Sequence, residues 1–380
     1  MPKADVDFGY PVSWLWFSLS SVLATFLHHL ADLLMPPPLL VVKDANGFLS
    51  ASILYTVTRL EIADTLHDCS SGKSSAELAE ASGCKCADTL QRILRAAETA
   101  GYFHQDVQTG LWTNSPKSSV LRKDHPNSMN ALVRHWKEDC APAMLRMYDG
   151  VRDDALPFSL AREGGQGDIW AHFEENPAQE QQFASAMDGL DSMSRRAHVA
   201  DFSWGQYKRV IDYGGSHGPL LRGILETHSQ VQGILFDRSP VIKNAEAEWT
   251  SKHAHVKDRV AFVPGDFFKR ESIPTFQDGD AIVLRYILHD WSDDLTREIL
   301  KNVRLAIGNS KASLLLLETC LQPHDPMPDR FLLDVLMHII QHGKERYRAD
   351  WETLLNETGF RLEFVNDTRS LNRIIVAKPM

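Results

Sequence analysis

Apolar positions along this chain follow two rhythms. Up to about residue 200 they recur every three or four residues, and from Lys208 they fall in short unbroken runs between helical stretches. The first rhythm predicts helices, the second the buried strands of a largely parallel sheet. Leu15, Leu19, Val22 and Phe26 stand at i, i+4, i+7 and i+11, on one helical face inside the uncharged run Tyr10–Leu27. Pro36, Pro37 and Pro38 end that helix, because proline lacks the amide hydrogen and crowds the preceding turn. Leu39–Leu66 reads as a second helical stretch, and Ser74-Ser75-Ala76-Glu77 as a capping box opening a short helix. Leu90, Ile93, Leu94 and Ala97 stripe the next helix, with Gly101 as its C′ residue. Tyr102-Phe103, a turn at Gln108-Thr109-Gly110 and Leu111-Trp112 predict a hairpin. Helix, helix, hairpin outlines a winged helix. Further helices are expected at His135–Met147, Ile169–Phe173 and Gln179–Ala197, with a break at Pro157-Phe158.

After Lys208, strands are expected at Arg209–Asp212, Gly233–Asp237, Val260–Val263, Ala281–Leu284 and Ser313–Leu317. Helices Gly218–Thr227 and Asp294–Ala306 fall between them, and Arg361–Val365 with Arg373–Ala377 could close the sheet as an antiparallel pair. The expected organisation is a helical extension (1–38), a winged-helix-like domain (39–125), a helical linker contributing to a substrate pocket (126–205) and a Rossmann-like α/β domain (206–380).

Composition narrows the function. A chain of 380 residues, 43% hydrophobic and 24% charged, suits two domains. Its net charge of −10 argues against a nucleic-acid surface and against anionic lipid. The candidate recognition helix of the winged unit carries Arg92 and Arg95 but also Asp88 and Glu98, so a DNA-binding regulator is disfavoured. Five cysteines (Cys69, Cys84, Cys86, Cys140, Cys320) form no disulfide framework and no zinc-site spacing. They fit reduced thiols in a cytoplasmic or organellar compartment. The run Tyr10–Leu27 is long enough to suggest a membrane anchor. It holds several serines, however, and follows Lys3, Asp5 and Asp7 rather than a basic leader. Packing on a second subunit is the preferred reading, with a targeting role as the alternative.

The chemistry begins at Asp212-Tyr213-Gly214-Gly215-Ser216-His217-Gly218, a glycine-rich turn between a strand and a helix. Asp237 ends the next strand, 19 residues past Gly218, where a carboxylate can accept from ribose hydroxyls; Arg238 follows it. The run is G-G-x-x-G, not the dinucleotide G-x-G-x-x-G, and an aspartate precedes it, which suits a cationic amino-acid group better than a pyrophosphate. Gly265-Asp266-Phe267-Phe268 follows the third strand, placing a carboxylate and a ring for an adenine. Three such signals in order, each at a strand's carboxyl end, predict S-adenosylmethionine as cofactor.

Arg285-Tyr286-Ile287-Leu288-His289-Asp290-Trp291-Ser292-Asp293-Asp294 follows the fourth strand. With the turn motifs, Leu317-Glu318 and Gly343-Lys344-Glu345-Arg346, it resembles the plant-type O-methyltransferases, which include caffeic acid and acetylserotonin O-methyltransferases. The resemblance covers most of residues 40–380 and implies roles by position. His289 is then the general base, and Glu318 and Glu345 the acidic residues that orient it. Asp212, Gly214, Gly215, Gly218, Asp237, Arg238, Asp266, Phe267 and Arg285 would surround the cofactor. Asp290, Met187, Met337 and His338 would line a substrate pocket. Asp191-Ser192 falls where relatives often carry a serine near the cofactor carboxylate. The N-terminal domain would form a homodimer. No metal is implied.

Plainer readings stand beside these. His289 could be a polar residue at a strand end, and Glu318 a simple terminus of the apolar run Leu314–Leu317. Glu345 lies among Lys344, Arg346 and Arg348, where a solvated ion pair is the rival. The acceptor is also open. The resemblance includes S-methyltransferases acting on 4-methylthio-2-hydroxybutyrate on the route to dimethylsulfoniopropionate. A thioether has no proton to lose, and Arg146, Arg285, His338 or Arg346 could meet that substrate's carboxylate. Methylation of a small-molecule hydroxyl is the preferred expectation.

Overall fold

A computed structural model describes residues 12–165, 167–323, 325, 327 and 329–380. It divides into a helical unit, through Asp153 and again Pro157–Met193, and an α/β unit, Asp154–Leu156 and Ser194–Met380. The division falls at Met193/Ser194 rather than 205/206. Residues 194–207 join the α/β unit because Phe202, Trp204 and Tyr207 enter its core and Asp201 pairs with Arg369.

The helical unit opens with helix Trp14–Leu33; Tyr10, Lys3, Asp5 and Asp7 lie outside the described residues. The stretch expected as one helix over Leu39–Leu66 is three: Pro37–Ala45, Gly47–Arg59 and Ile62–His67. Asn46 breaks it first, and Glu61, with φ 54 in the left-handed region, breaks it again. Ser74 opens Ser75–Ser82 with both capping-box bonds present. Helix Ala87–Thr99 follows, then strands β1 (Phe103–Gln105) and β2 (Trp112–Asn114), paired antiparallel. Ile62, Leu78, Leu90, Leu94, Phe103 and Trp112 are its core. The helix expected over His135–Met147 is interrupted by a π-turn at Trp136–Cys140. Pro142 explains this: it has no N–H for the α-helical bond, and the ladder slips to the Ala141 amide on the Trp136 carbonyl. Pro157, expected as a break, starts the short helix Pro157–Leu160. All five cysteines are free.

The α/β unit is built on strands β3 (Arg209–Tyr213), β4 (Gln232–Asp237), β5 (Val260–Pro264), β6 (Asp280–Arg285) and β7 (Ser313–Glu318). Short strands β8 (Cys320–Leu321) and β9 (Arg346–Tyr347) pair with each other, and β10 (Phe360–Asn366) with β11 (Arg373–Pro379) completes the main sheet. The order is β10-β11-β7-β6-β3-β4-β5, with β11 alone running antiparallel to the other strands. Alternate residues of one strand feed opposite faces. Ile282, Leu284, Leu314 and Leu316 pack under helices Asp293–Ile307 and Arg348–Glu357. Ala281, Val283, Leu315 and Leu317 pack under helices Pro219–Thr227 and Ser239–Lys252. Burial on both faces is why these strands read as unbroken apolar runs.

Leu316 is fully buried in β7. Leu316→Ala should lower the stability of the α/β unit by about 2–5 kcal/mol, read as a lower urea midpoint; an unchanged midpoint would show that the sheet does not bear the fold.

Candidate active site

Chain order along the sheet reverses beside β3: the chain runs outward through β4 and β5, then returns to β6 on the other side. Open α/β sheets leave a crevice at such a point, beyond the strands' carboxyl ends. The turn after β3 lines it. Gly214 has φ 67, and a Cβ there would lie 2.6 Å from Ile287 Cδ1; at Gly215 it would lie 2.6 Å from Leu235 Cδ1 and 2.7 Å from Asp212 Cγ. Side chains would therefore fill this cradle. Gly218 caps the following helix with Pro219 at its first turn, and Asp212 is buried.

Asp237 ends β4 and ties this turn down. Its Oδ2 accepts from the Ser216 amide at 2.9 Å and its Oδ1 from the Arg238 amide at 2.7 Å. Burial raises its carboxyl above the ordinary value, while both amides favour the charged form. Arg238 thus contributes its backbone, and its side chain is exposed. Asp266 folds the loop after β5 by accepting from the Phe268 amide at 3.0 Å. The Phe267 ring sits half-buried against Phe268 and Trp291, and its backbone carbonyl accepts from Asn302. Arg285 ends β6 with its guanidinium 5.5 Å from the Tyr286 ring centre.

The loop after β6 carries His289, buried at 7% exposure. His289 Nδ1 and Glu345 Oε1 are 2.8 Å apart, and Glu345 is in turn placed by its amide, which donates to Asp334 Oδ1 at 2.7 Å. Glu318 reaches His289 by another route. Its Oε1 accepts from the Ile287 and Leu288 amides at 3.0 and 2.8 Å, so it orients His289 through the loop's backbone. On the other edge of the imidazole, Nε2 lies 3.3 Å from Asp290 Oδ1. Burial alone would lower the His289 pKa, but the charges of Asp290, Glu345 and Glu318 outweigh it and raise it to about 10. Burial pushes the Asp290 carboxyl up to about 6 and the Glu318 carboxyl up to about 7, each opposed by His289.

The basic neighbours of Glu345 are engaged elsewhere. Lys344 and Arg346 pair with Asp293, and Arg348 with Glu352, so Glu345 is no solvated ion pair. Arg346, expected as a charged neighbour of Glu345 or a carboxylate contact, holds the loop instead. Its guanidinium is fully buried and donates to the carbonyls of Leu288 and Trp291, each at 2.8 Å, and to Thr296 Oγ1 at 3.1 Å. Those bonds close the His289 loop from below. A cation so engaged does not serve as a substrate-carboxylate site. Arg146 likewise pairs with Asp149, in the helical unit. Gln341 was also missed; its signal was a polar residue directly after Ile339-Ile340.

Met337 and His338, two of the expected pocket residues, lie on helix Asp329–Gln341 of the α/β unit. Met337 is buried, with Sδ 3.3 Å from Gln341 Nε2. His338, the next residue on helix Asp329–Gln341, is exposed, with its ring 6.1 Å from that of His342. Met187, Asp191 and Ser192 lie in the helical unit, on helix Pro177–Ala200.

Taken together, a switch-point crevice and a histidine held between carboxylates define the class: an α/β methyltransferase domain following a helical domain. Comparison with known proteins gives the family. Residues 146–361 match the model of the O-methyltransferase domain, and residues 42–124 that of the O-methyltransferase dimerisation domain. The chain belongs to the O-methyltransferase family, whose members use S-adenosylmethionine. It is 30% identical over 347 residues to phenazine O-methyltransferase PhzM of Lysobacter antibioticus, covering 91% of this chain and 97% of that one. It is 30% identical over 312 residues to the 8-amino-8-demethylriboflavin N,N-dimethyltransferase of Streptomyces davaonensis, covering 82% and 86%. The crystal structure of LaPhzM superposes with a TM-score of 0.81 at 30% identity, over 91% of this chain and all of that one.

The cradle at Gly214 and Gly215 and the half-buried Phe267 ring fit an adenosyl group with an amino-acid tail. Asp237→Asn should weaken S-adenosylmethionine binding by about tenfold or more, because an amide in place of the carboxylate cannot accept both amides and further hydroxyls. Calorimetric titration measures this; equal affinity would remove Asp237 from the binding site.

Proposed function

We propose that this methyltransferase acts on a hydroxyl group of a small molecule, with His289 as the base. The observation that carries the reading is the 2.8 Å hydrogen bond between His289 Nδ1 and Glu345 in a buried site. Glu345 holds the proton on Nδ1 and leaves Nε2 to accept one. S-adenosylmethionine, when bound, supplies a methyl group already activated by the sulfonium charge. Gly214, Gly215, Asp237, Asp266 and Phe267 are the residues offered to hold it. The protein's remaining work is to align the acceptor and take its proton.

The electrostatics favour this work. A phenolic hydroxyl has a pKa of about 10, far above an ordinary histidine. Three carboxylates raise His289 to about 10 and bring the two near balance. As the hydroxyl proton moves to Nε2, the imidazolium charge develops between Glu345 and Asp290. Orientation of the acceptor by the site adds to this, since aligned reactants reach effective molarities of roughly 10⁵ to 10⁸ M.

His289→Ala should slow transfer to a hydroxyl acceptor by roughly 10² to 10⁴; a retained rate would remove base catalysis and the hydroxyl reading with it. The sign of the pH dependence follows from the raised pKa. Only the neutral imidazole accepts a proton, and its fraction grows as pH rises towards the folded-state value. kcat/KM on a phenolic acceptor should therefore climb from neutral into alkaline pH; a profile that is flat or falls there contradicts the assignment.

The reading extends to assembly. Trp14, Leu15, Trp16, Leu19, Val22, Leu23, Phe26 and Leu27 are all exposed in the single chain. Phe48 and Leu49, inside the matched dimerisation domain, are exposed as well. No single helix among the described residues is long and apolar enough to cross a membrane. Light scattering should give twice the chain mass, and a stable monomer would contradict the homodimer.

A further inference from the structure

Gln341 is the last residue of helix Asp329–Gln341 and is 7% exposed. A buried amide is costly unless its polar atoms are bonded. Its Nε2 donates to Asp290 Oδ1 at 2.5 Å and lies 3.3 Å from Met337 Sδ. Asp290 Oδ1 is the same oxygen that lies 3.3 Å from His289 Nε2. One carboxylate oxygen thus stands between the Gln341 amide and the edge of His289 that Glu345 leaves unused.

The helix end holding Gln341 is itself fixed to the His289 loop. The Lys344 amide donates to the His289 carbonyl at 2.9 Å, and the Gly343 amide to the Met337 carbonyl at 3.2 Å. A Cβ on Gly343 would lie 2.3 Å from the His289 carbonyl oxygen, so the two segments are in close contact. Gln341 therefore reaches Asp290 from a rigid base rather than from a loose loop.

We propose that Gln341 is a positioning residue for the base: it pins the Asp290 carboxylate on the Nε2 edge of His289 and so sets the proton affinity of that edge. The inference rests on the reading of His289 as the base. A glutamine suits the task because it donates without charge. A lysine there would neutralise Asp290, and a glutamate would repel it. The surrounding charges are otherwise committed. Glu345 holds Nδ1, Glu318 holds the Ile287 and Leu288 amides, and Asp334 accepts from the Glu345 amide. Lys344 and Arg346 pair with Asp293, while Arg285 lies by the Tyr286 ring, itself 5.8 Å from the imidazole. Asp290 is the charge whose place depends on one neutral tether.

The test needs no acceptor. In full-length protein labelled with ¹⁵N-histidine, the His289 resonances are those missing from His289→Ala, and their pH titration reports the imidazole. In Gln341→Met the carboxylate can turn towards solvent, and the His289 midpoint should fall by roughly one pH unit, the smaller end of what a charge at this range contributes. Gln341→Asn keeps the amide but is one methylene too short, so it should act in the same direction; it answers the question if the methionine variant does not fold. Asp290→Asn should lower the midpoint at least as far. An unchanged midpoint in the Gln341 variants, with Asp290→Asn shifted, overturns the tether; no shift in any of them overturns the role of Asp290 as well. Methyl transfer that survives His289→Ala would defeat the base reading instead, and the titration would still report the tether.

Discussion

A buried carboxylate at the end of a strand shapes everything around this site. Glu318 closes β7 with no solvent exposure, and one of its oxygens accepts two consecutive backbone amides, Ile287 and Leu288. Those amides belong to a loop that leaves β6 through Tyr286, whose φ of 56 is unusual for a bulky residue. Such a backbone persists only where its surroundings over-determine it. Glu318 supplies that constraint from one side and Arg346 from the other, through the Leu288 and Trp291 carbonyls. His289 sits between the two clamps. Its direction is a consequence of backbone hydrogen bonds before any side chain touches it.

The clamps also set the electrostatics. Burial, with the nearby Glu345 charge adding to it, is why Asp290 and Glu318 hold protons more tightly than exposed acids. The same carboxylates make a positive charge on His289 favourable. Protons in this cluster belong to the group, so its titration is a property of the whole. Burial matters twice here. It weakens screening between the charges, and it makes an unpartnered polar atom costly, as Glu318 Oε2 and Glu345 Oε2 are. The Arg346 guanidinium meets that demand with two carbonyls, a hydroxyl and Asp293.

Much of this was legible in the residues. The apolar strands, the glycine turn at 214–218 and the aspartates at 237 and 266 announce themselves by local rules, because each is a short motif at a strand end. What could not be read was the route of each contact. Glu318 and Glu345 look equivalent as acids placed after the histidine in sequence, yet one holds the backbone and the other the ring. That difference depends on how far β7 and the segment before β9 approach the loop, which is a matter of three-dimensional packing. His338 and Met337 are neighbours in sequence, about 100° apart around their helix, and one is exposed while the other is buried, which the sequence alone does not distinguish. The π-turn before Pro142 likewise needed the neighbouring carbonyls, not periodicity, to appear.

The sheet keeps its two tasks on different strands. The carboxyl ends of β3, β4 and β5 carry Gly214, Asp237 and Asp266, while the buried histidine and carboxylates lie on the loop after β6, at the end of β7 and just before β9. The crevice beside β3 is where these two groups of loops meet. Family relatives are named for methylation of hydroxyls and, in one case, of an amine. An amine acceptor makes a weaker demand on a base than a phenol does, since a neutral amine can attack before it loses its proton. Within one family, then, the carboxylates that raise the basicity of His289, namely Asp290, Glu345 and Glu318, together with the proposed tether at Gln341, are where a requirement for deprotonation would leave its mark.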